Sequence, residues 1–204
     1  MDRRIILVGL FSFLLVGVVA AGVFLFSKPD SFRGTMYAEP YPPAPEIELP
    51  RDNGASFRLS EMRGNTVLLF FGYTSCPDVC PTTMAELKQA LEKLSEEDAK
   101  RVQVLFVTVD PARDTPERVQ EYVNHFNSDF IGLSGKESEL AEVWKDYGVF
   151  RENVDGNSAA GYLVDHTARV TLIDKRGNLR LSFAFDTPVD NIVHDLKLLL
   201  KEKS

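Results

Sequence analysis

The chain has 204 residues, a net charge of −7 and only two cysteines. An acidic balance argues against nucleic acid or an anionic lipid surface as the partner. Two cysteines are too few for the disulfide scaffold of a small secreted domain.

The chain opens Met1-Asp2-Arg3-Arg4 and then runs apolar for 22 residues, Ile5 to Phe26, with one Ser and no charge. As a helix that run spans roughly 33 Å, enough for a bilayer core of about 30 Å. Arg3 and Arg4 stand on its N-terminal side, which puts the N-terminus in the cytoplasm. Residues 1–26 are therefore expected to be a single-pass transmembrane anchor in the inner (plasma) membrane, with the following domain extracytoplasmic (periplasmic). A cleavable signal peptide is the competing reading. Val19-Ala20-Ala21 is weakly of the cleavage type, but Val23 to Phe26 carries the apolar run beyond it. No cysteine lies near this segment, which excludes a lipoprotein, and it lacks the Arg- and Ser-rich amphipathic pattern of a transit peptide.

Residues 27–46 carry Pro29, Pro40, Pro42, Pro43 and Pro45 and read as an extended tether. Residues 47–204 suit one domain. Leaving out the two arginines and one aspartate of the anchor moves the net charge from −7 to −8.

Within that domain, Ile47 to Leu49 and Ser56 to Leu59 flank a turn with Gly54 and read as a short hairpin. Thr66 to Phe71 is a continuous apolar run, as in a strand buried on both faces. Pro81 to Leu94 has Met84, Leu87, Leu91 and Leu94 at helical spacing, with Pro81 suited to the first helical position. Val102 to Val109 is a second buried strand. Thr115-Pro116-Glu117 starts a helix to about Phe126, with Thr115 as N-cap. Phe130 to Leu133 is a short strand, and Glu137 to Tyr147 a helix. A polar insert, Arg151 to Ala160, precedes a β-hairpin of Ala168–Asp174 and Leu179–Phe185, and Val189 to Leu200 closes as a helix. This order predicts an α/β domain with a mixed sheet covered by helices on both faces, which a thioredoxin-like fold fits.

The chemistry concentrates in Cys76-Pro77-Asp78-Val79-Cys80, between the first central strand and its helix. A helix N-terminus offers unpaired N–H groups and a positive dipole end, which favour thiolate over thiol. A structural disulfide is the bland alternative, yet one short loop adds little to a domain with a full core. Three intervening residues permit a disulfide and also let two sulfurs splay around one ion. Two thiolates select Cu(I) or Zn(II), and a nearby imidazole would complete a three-coordinate site.

Three histidines are available. His125 and His194 lie in helix patterns and read as ordinary helix residues. His166, in Tyr162-Leu163-Val164-Asp165-His166-Thr167, stands in a loop expected near the cysteine end of the sheet. Asp165 and Asp155 are candidate supports for it, with solvated carboxylates the plainer reading. Asp110-Pro111-Ala112-Arg113-Asp114 follows the second strand at the same end. It reads as turn-forming and helix-capping, with partner docking as the functional alternative.

Phe71 to Pro81, Thr108 to Glu117 and Val164 to Thr167 together resemble the SCO/SenC family of copper-binding, thioredoxin-like proteins, over about Pro45 to Leu200. The resemblance implies that Cys76, Cys80 and His166 are the copper ligands; the donor set favours Cu(I), and whether Cu(II) also binds is left open by the sequence. It also implies a role in assembling the binuclear copper centre of cytochrome c oxidase subunit II, as copper carrier, thiol reductant or both. Asp165 and the Asp110–Asp114 loop match family positions that support the site or contact a partner. Asn157 to Ala160 matches no motif.

Four functions remain in competition on sequence. The first is a membrane-anchored copper chaperone. The second is a thiol–disulfide oxidoreductase, with Cys76 as nucleophile and Cys80 as resolving thiol. The third is a peroxidase, disfavoured because Pro77 stands where that chemistry wants a threonine. The fourth is a tethered copper or redox sensor.

Overall fold

A computed structural model describes residues 31–158 and 161–202. The expected anchor, residues 1–26, lies outside them. Among the described residues no helix is long and apolar enough to cross a membrane.

The strands are β1 (Thr35–Met36), β2 (Glu48–Pro50), β3 (Ser56–Arg58), β4 (Thr66–Gly72), β5 (Val102–Thr108), β6 (Ile131–Leu133), β7 (Arg151–Ser158), β8 (Gly161–His166), β9 (Arg169–Ile173) and β10 (Leu179–Ala184). The helices are α1 (Val79–Glu92), α2 (Glu96–Ala99), α3 (Pro116–Asn124), α4 (Glu137–Asp146) and α5 (Val189–Lys201), with a 3-10 turn at Leu59–Met62. One sheet has the order β1-β10-β9-β4-β5-β6; β2–β3 and β7–β8 are separate two-stranded sheets. Strands β4, β5 and β6 are parallel, while β9 runs antiparallel to β4 and β10 antiparallel to β9. This is the mixed sheet of a thioredoxin-like α/β fold.

The core follows the apolar runs. Every residue of β4 is buried, as is all of β5 except Gln103. On one face Phe70 meets Phe106 at 5.9 Å between ring centroids, and Phe106 meets Tyr122 of α3 at 5.4 Å. On the other, Phe71 meets Tyr147 at the end of α4, at 5.5 Å. Helices therefore cover both faces. Backbone crowding demands glycine at 132: a Cβ there would stand 2.7 Å from the Val119 carbonyl of α3.

Three expectations need correction. Helix α1 starts at Val79, not Pro81, so Cys80 lies inside its first turn. The polar insert is strand β7, paired antiparallel with β8. His166 is thus the last residue of β8 and not a loop residue. Finally, much of the expected tether is docked. The N–H groups of Arg33 and Gly34 donate to the buried Asp195 carboxylate at 2.7–3.0 Å, β1 pairs with β10, and Ala44 N–H reaches the Gly177 carbonyl at 2.9 Å. Proline-rich sequence does favour extended chain, but extended chain can also line a sheet edge, where missing N–H donors cost nothing.

Candidate metal centre

Strand β4 delivers the chain to Tyr73, and the Cys76 N–H turns back onto the Tyr73 carbonyl at 3.2 Å. Asp78 caps α1 by position only, with no side-chain bond to the first turn. The Cys80 N–H instead donates to Cys76 Sγ at 3.4 Å. A sulfur thus occupies the place of a capping oxygen, where N–H groups and helix dipole favour its anion.

The two thiols are free and unequal. Cys80 is fully buried and Cys76 half-buried. Gly72 makes room for Cys80: a Cβ at that position would lie 2.9 Å from Cys80 Sγ, and as close to the Phe70 and Phe106 rings. The Cys80 thiol stabilises the Cys76 thiolate as a hydrogen-bond donor. Aided by His166 and the Asp78 and Cys80 N–H groups, and opposed by burial, this holds the Cys76 pKa far below the ordinary thiol value, to about 3. The same bond, burial and the neighbouring negative charge push Cys80 upward. The pair therefore carries one thiolate, on the more accessible sulfur.

The imidazole reaches this pair from β8. His166 Nε2 lies 3.7 Å from Cys80 Sγ, and Nδ1 lies 3.2 Å from the Thr167 carbonyl. With its proton on Nδ1, donated to that carbonyl, the ring turns the lone pair of Nε2 toward the sulfurs. Tyr73 and Phe70 stand edge-on to the ring at 5.8 and 6.3 Å. An ion bonded at about 2.3 Å to sulfur and about 2.0 Å to nitrogen separates those atoms by roughly 3.5–3.7 Å at tetrahedral to trigonal angles. The Cys80–His166 edge already has that length. Among the described residues, no set of three or more Cys, His, Asp and Glu is drawn around one common point. The Cys76 sulfur, engaged with the Cys80 N–H, would complete the set.

The remaining expected residues fall on both sides of the site. Asp165 is exposed, on the face of β8 opposite His166 by strand alternation, and Asp155 is exposed on β7. His125 and His194 are engaged elsewhere, with the Glu121 carbonyl and Asp195. Asp110 and Asp114 are buried at 1% exposure. Asp114 accepts from Thr74 N–H (3.0 Å), Thr74 Oγ (2.5 Å) and Thr108 Oγ (2.7 Å), which ties its loop to the residues just before Cys76. Asp110 accepts from Arg113 Nε and from the Tyr162 hydroxyl at 2.7 Å. Thr115 caps α3 as expected.

Gly72, Tyr73, Thr74, Arg118 and Tyr162 are neighbours of the site that sequence reasoning did not single out. Arg118 donates to Thr74 Oγ at 2.9 Å and Ser75 Oγ at 3.3 Å. Proximity to Cys76 in the chain was the available signal for the first three. For Arg118 and Tyr162 the signal is tertiary only.

Comparison with known proteins bears on this geometry. The SCO1/SenC family profile matches residues 37–201. The SCO2-like protein of Rickettsia felis is 35% identical over 189 residues, covering 90% of this chain and 92% of its own. The solved structure of apo Sco1 from Thermus thermophilus is 40% identical, with a TM-score of 0.75, covering 85% of this chain and 99% of its own. The structure of Bradyrhizobium japonicum ScoI with copper bound is 35% identical, with a TM-score of 0.69, covering 76% of this chain and 98% of its own.

Proposed function

The chain belongs to the SCO1/SenC family, and on that premise we propose that it is a copper carrier for cytochrome c oxidase assembly. Cys76 and Cys80 as thiolates and neutral His166 bind Cu(I), with Cu(II) as a second state. The observation that carries this reading is the 3.7 Å separation of Cys80 Sγ and His166 Nε2, beside a sulfur held as thiolate. Soft sulfur with one imidazole is the donor set that suits Cu(I). The ion is cargo. It leaves by ligand exchange to thiolates of a partner, subunit II of the oxidase or another copper-site protein.

Residues 1–26 anchor the protein in the membrane with the domain extracytoplasmic. Asp110 and Asp114 support the site from inside, and Asp165 meets the partner from the outward face of β8. The test is a Cu(I) titration with X-ray absorption on the reduced full chain in detergent, wild type beside His166→Ala. Loss of one nitrogen scatterer and a weaker site are expected. Unchanged coordination number and affinity in the variant would sink the reading.

A second reading rests on the inequality of the thiols. Cys76 attacks a disulfide as thiolate and Cys80, deprotonating as it attacks in turn, displaces the partner's sulfur. Two electrons and the Cys80 proton pass to the partner, its sulfurs leave as one thiol and one thiolate that takes its proton from water, and Cys76–Cys80 becomes a disulfide. That form cannot hold copper through the same sulfurs, so each activity excludes the other in a given molecule. Turnover of a disulfide substrate by His166→Ala at the wild-type rate would favour reduction over metal transfer.

A further inference from the structure

His166 stands on a hairpin outside the six-stranded sheet. A two-stranded ribbon alone is marginally stable, so its position depends on what fastens it. At its base Arg151, opposite His166, lies over the Trp144 ring at 4.8 Å and pairs with Glu137 at 3.1 Å. With that base as the pivot, the freedom left to β8 is twist about its own axis, which would swing the imidazole of His166 out of line with Cys80.

The inward face of β8 reads Tyr162, Val164, His166 by alternation. Val164 N–H donates to the Tyr73 hydroxyl at 3.3 Å. Tyr162 is gripped harder. Its hydroxyl donates to Asp110 Oδ1 at 2.7 Å, its carbonyl accepts from Arg113 Nη1 at 2.9 Å, and the Arg113 guanidinium stacks 3.8 Å from its ring centroid. Arg113 Nε donates to Asp110 Oδ2. Each of the three groups touches the other two. The loop that carries Asp110 and Arg113 is itself fixed to Thr74, beside the cysteine turn, through Asp114. One loop thus references the sulfur side at one end and the imidazole side at the other.

We propose that Asp110, Arg113 and Tyr162 form a positioning latch that holds His166 over the cysteine pair and sets whether bound copper has three ligands or two. The latch rests on the reading that Cys76, Cys80 and His166 bind copper. With the latch closed, Nε2 stays within an ion's reach of the sulfur. With it open, the two sulfurs keep the ion and the nitrogen leaves, which is the first step of handing the ion on.

The test uses the reduced full chain in detergent, with Tyr162→Phe and Arg113→Met, each alone and combined with His166→Ala. Tyr162→Phe removes one hydrogen bond and keeps the stacked ring, so Cu(I) affinity should fall roughly three- to ten-fold. Arg113→Met should approach the loss seen for His166→Ala, with the nitrogen scatterer weakened in X-ray absorption. On the His166→Ala background neither change should weaken copper further. In metal-free protein both variants should speed hydrogen exchange at the Val164 amide while leaving β4 amides protected. The proposal is overturned by equal copper losses with and without His166, which would mean a general effect on the fold, or by variants that leave coordination and Val164 exchange unchanged. If His166→Ala itself changes nothing, the copper reading falls and the latch falls with it. Should Arg113→Met fail to fold, Tyr162→Phe carries the same comparison.

Discussion

The sulfurs and the imidazole come from regions held in different ways. Cys80 is buried in the main core, its sulfur close against Gly72, in the first turn of a 14-residue helix. Moving it means disturbing the centre of the sheet. His166 sits at the end of a two-stranded ribbon fastened by side chains. A carrier of the proposed kind would use both: the rigid pair would keep the ion from being lost to solvent, and the third ligand, released with the ribbon, would lower the barrier to giving it up.

The sharpest way to break this comparison is to overfill the rigid side. Gly72→Val would force its side chain into Cys80 Sγ and two aromatic rings at 2.9 Å. A loss of roughly 2–3 kcal/mol in urea unfolding is expected, together with loss of copper binding. On the ribbon, Val154 is 39% exposed on the outward face, and Val154→Thr should cost no more than about 0.5 kcal/mol. Comparable losses at the two positions would mean that ribbon and core are not mechanically distinct.

The same division explains what was legible in the sequence. Strands β4 and β5 are apolar throughout because both faces are buried, and their runs announce them. The cysteine turn was legible because its residues are contiguous. Strand β7, Arg-Glu-Asn-Val-Asp-Gly-Asn-Ser, has no alternation to detect, since its existence depends on pairing with β8 and not on burial. The start of α1 was misplaced for a related reason. Proline is tolerated throughout a first turn, whose N–H groups lack partners anyway, so Pro81 marks the turn and not its first residue. The roles of Arg113 and Tyr162 were illegible because 49 residues separate groups that meet only after folding.

A smaller effect follows from the unequal thiols. A free cysteine of pKa about 8.5 loses tenfold in alkylation rate for each pH unit below that value. Cys76, held to about 3, stays thiolate, so its alkylation in the reduced metal-free protein should remain nearly flat from pH 8 to pH 5. Cys80, shifted upward and buried, should stay unmodified until the protein unfolds. The sign for stability follows. The folded pKa of Cys76 lies below its unfolded value, so its contribution is full above the unfolded pKa and declines as pH falls toward the folded one. Between pH 5 and 8 the reduced wild type should therefore gain stability with pH relative to Cys76→Ser. A tenfold-per-unit fall in Cys76 alkylation would show that the helix start and its neighbours do not hold an anion there.

The smallest expected effect separates the two faces of the ribbon. Asp165 is adjacent to His166 in sequence but exposed on the opposite face, beside Glu152 across the pair. Asp165→Asn should leave Cu(I) affinity within about twofold and stability within about 0.5 kcal/mol. If the outward face meets the partner, the change should instead appear in the rate of copper transfer, and it should shrink as salt screens the lost charge. A carboxylate that supported the imidazole would behave in the opposite way, changing affinity without a salt-dependent transfer rate. Proximity along a strand and proximity in a site are different things, because successive side chains point apart. On the proposed reading, the ribbon would give one face to the ion and leave the other for the molecule that receives it.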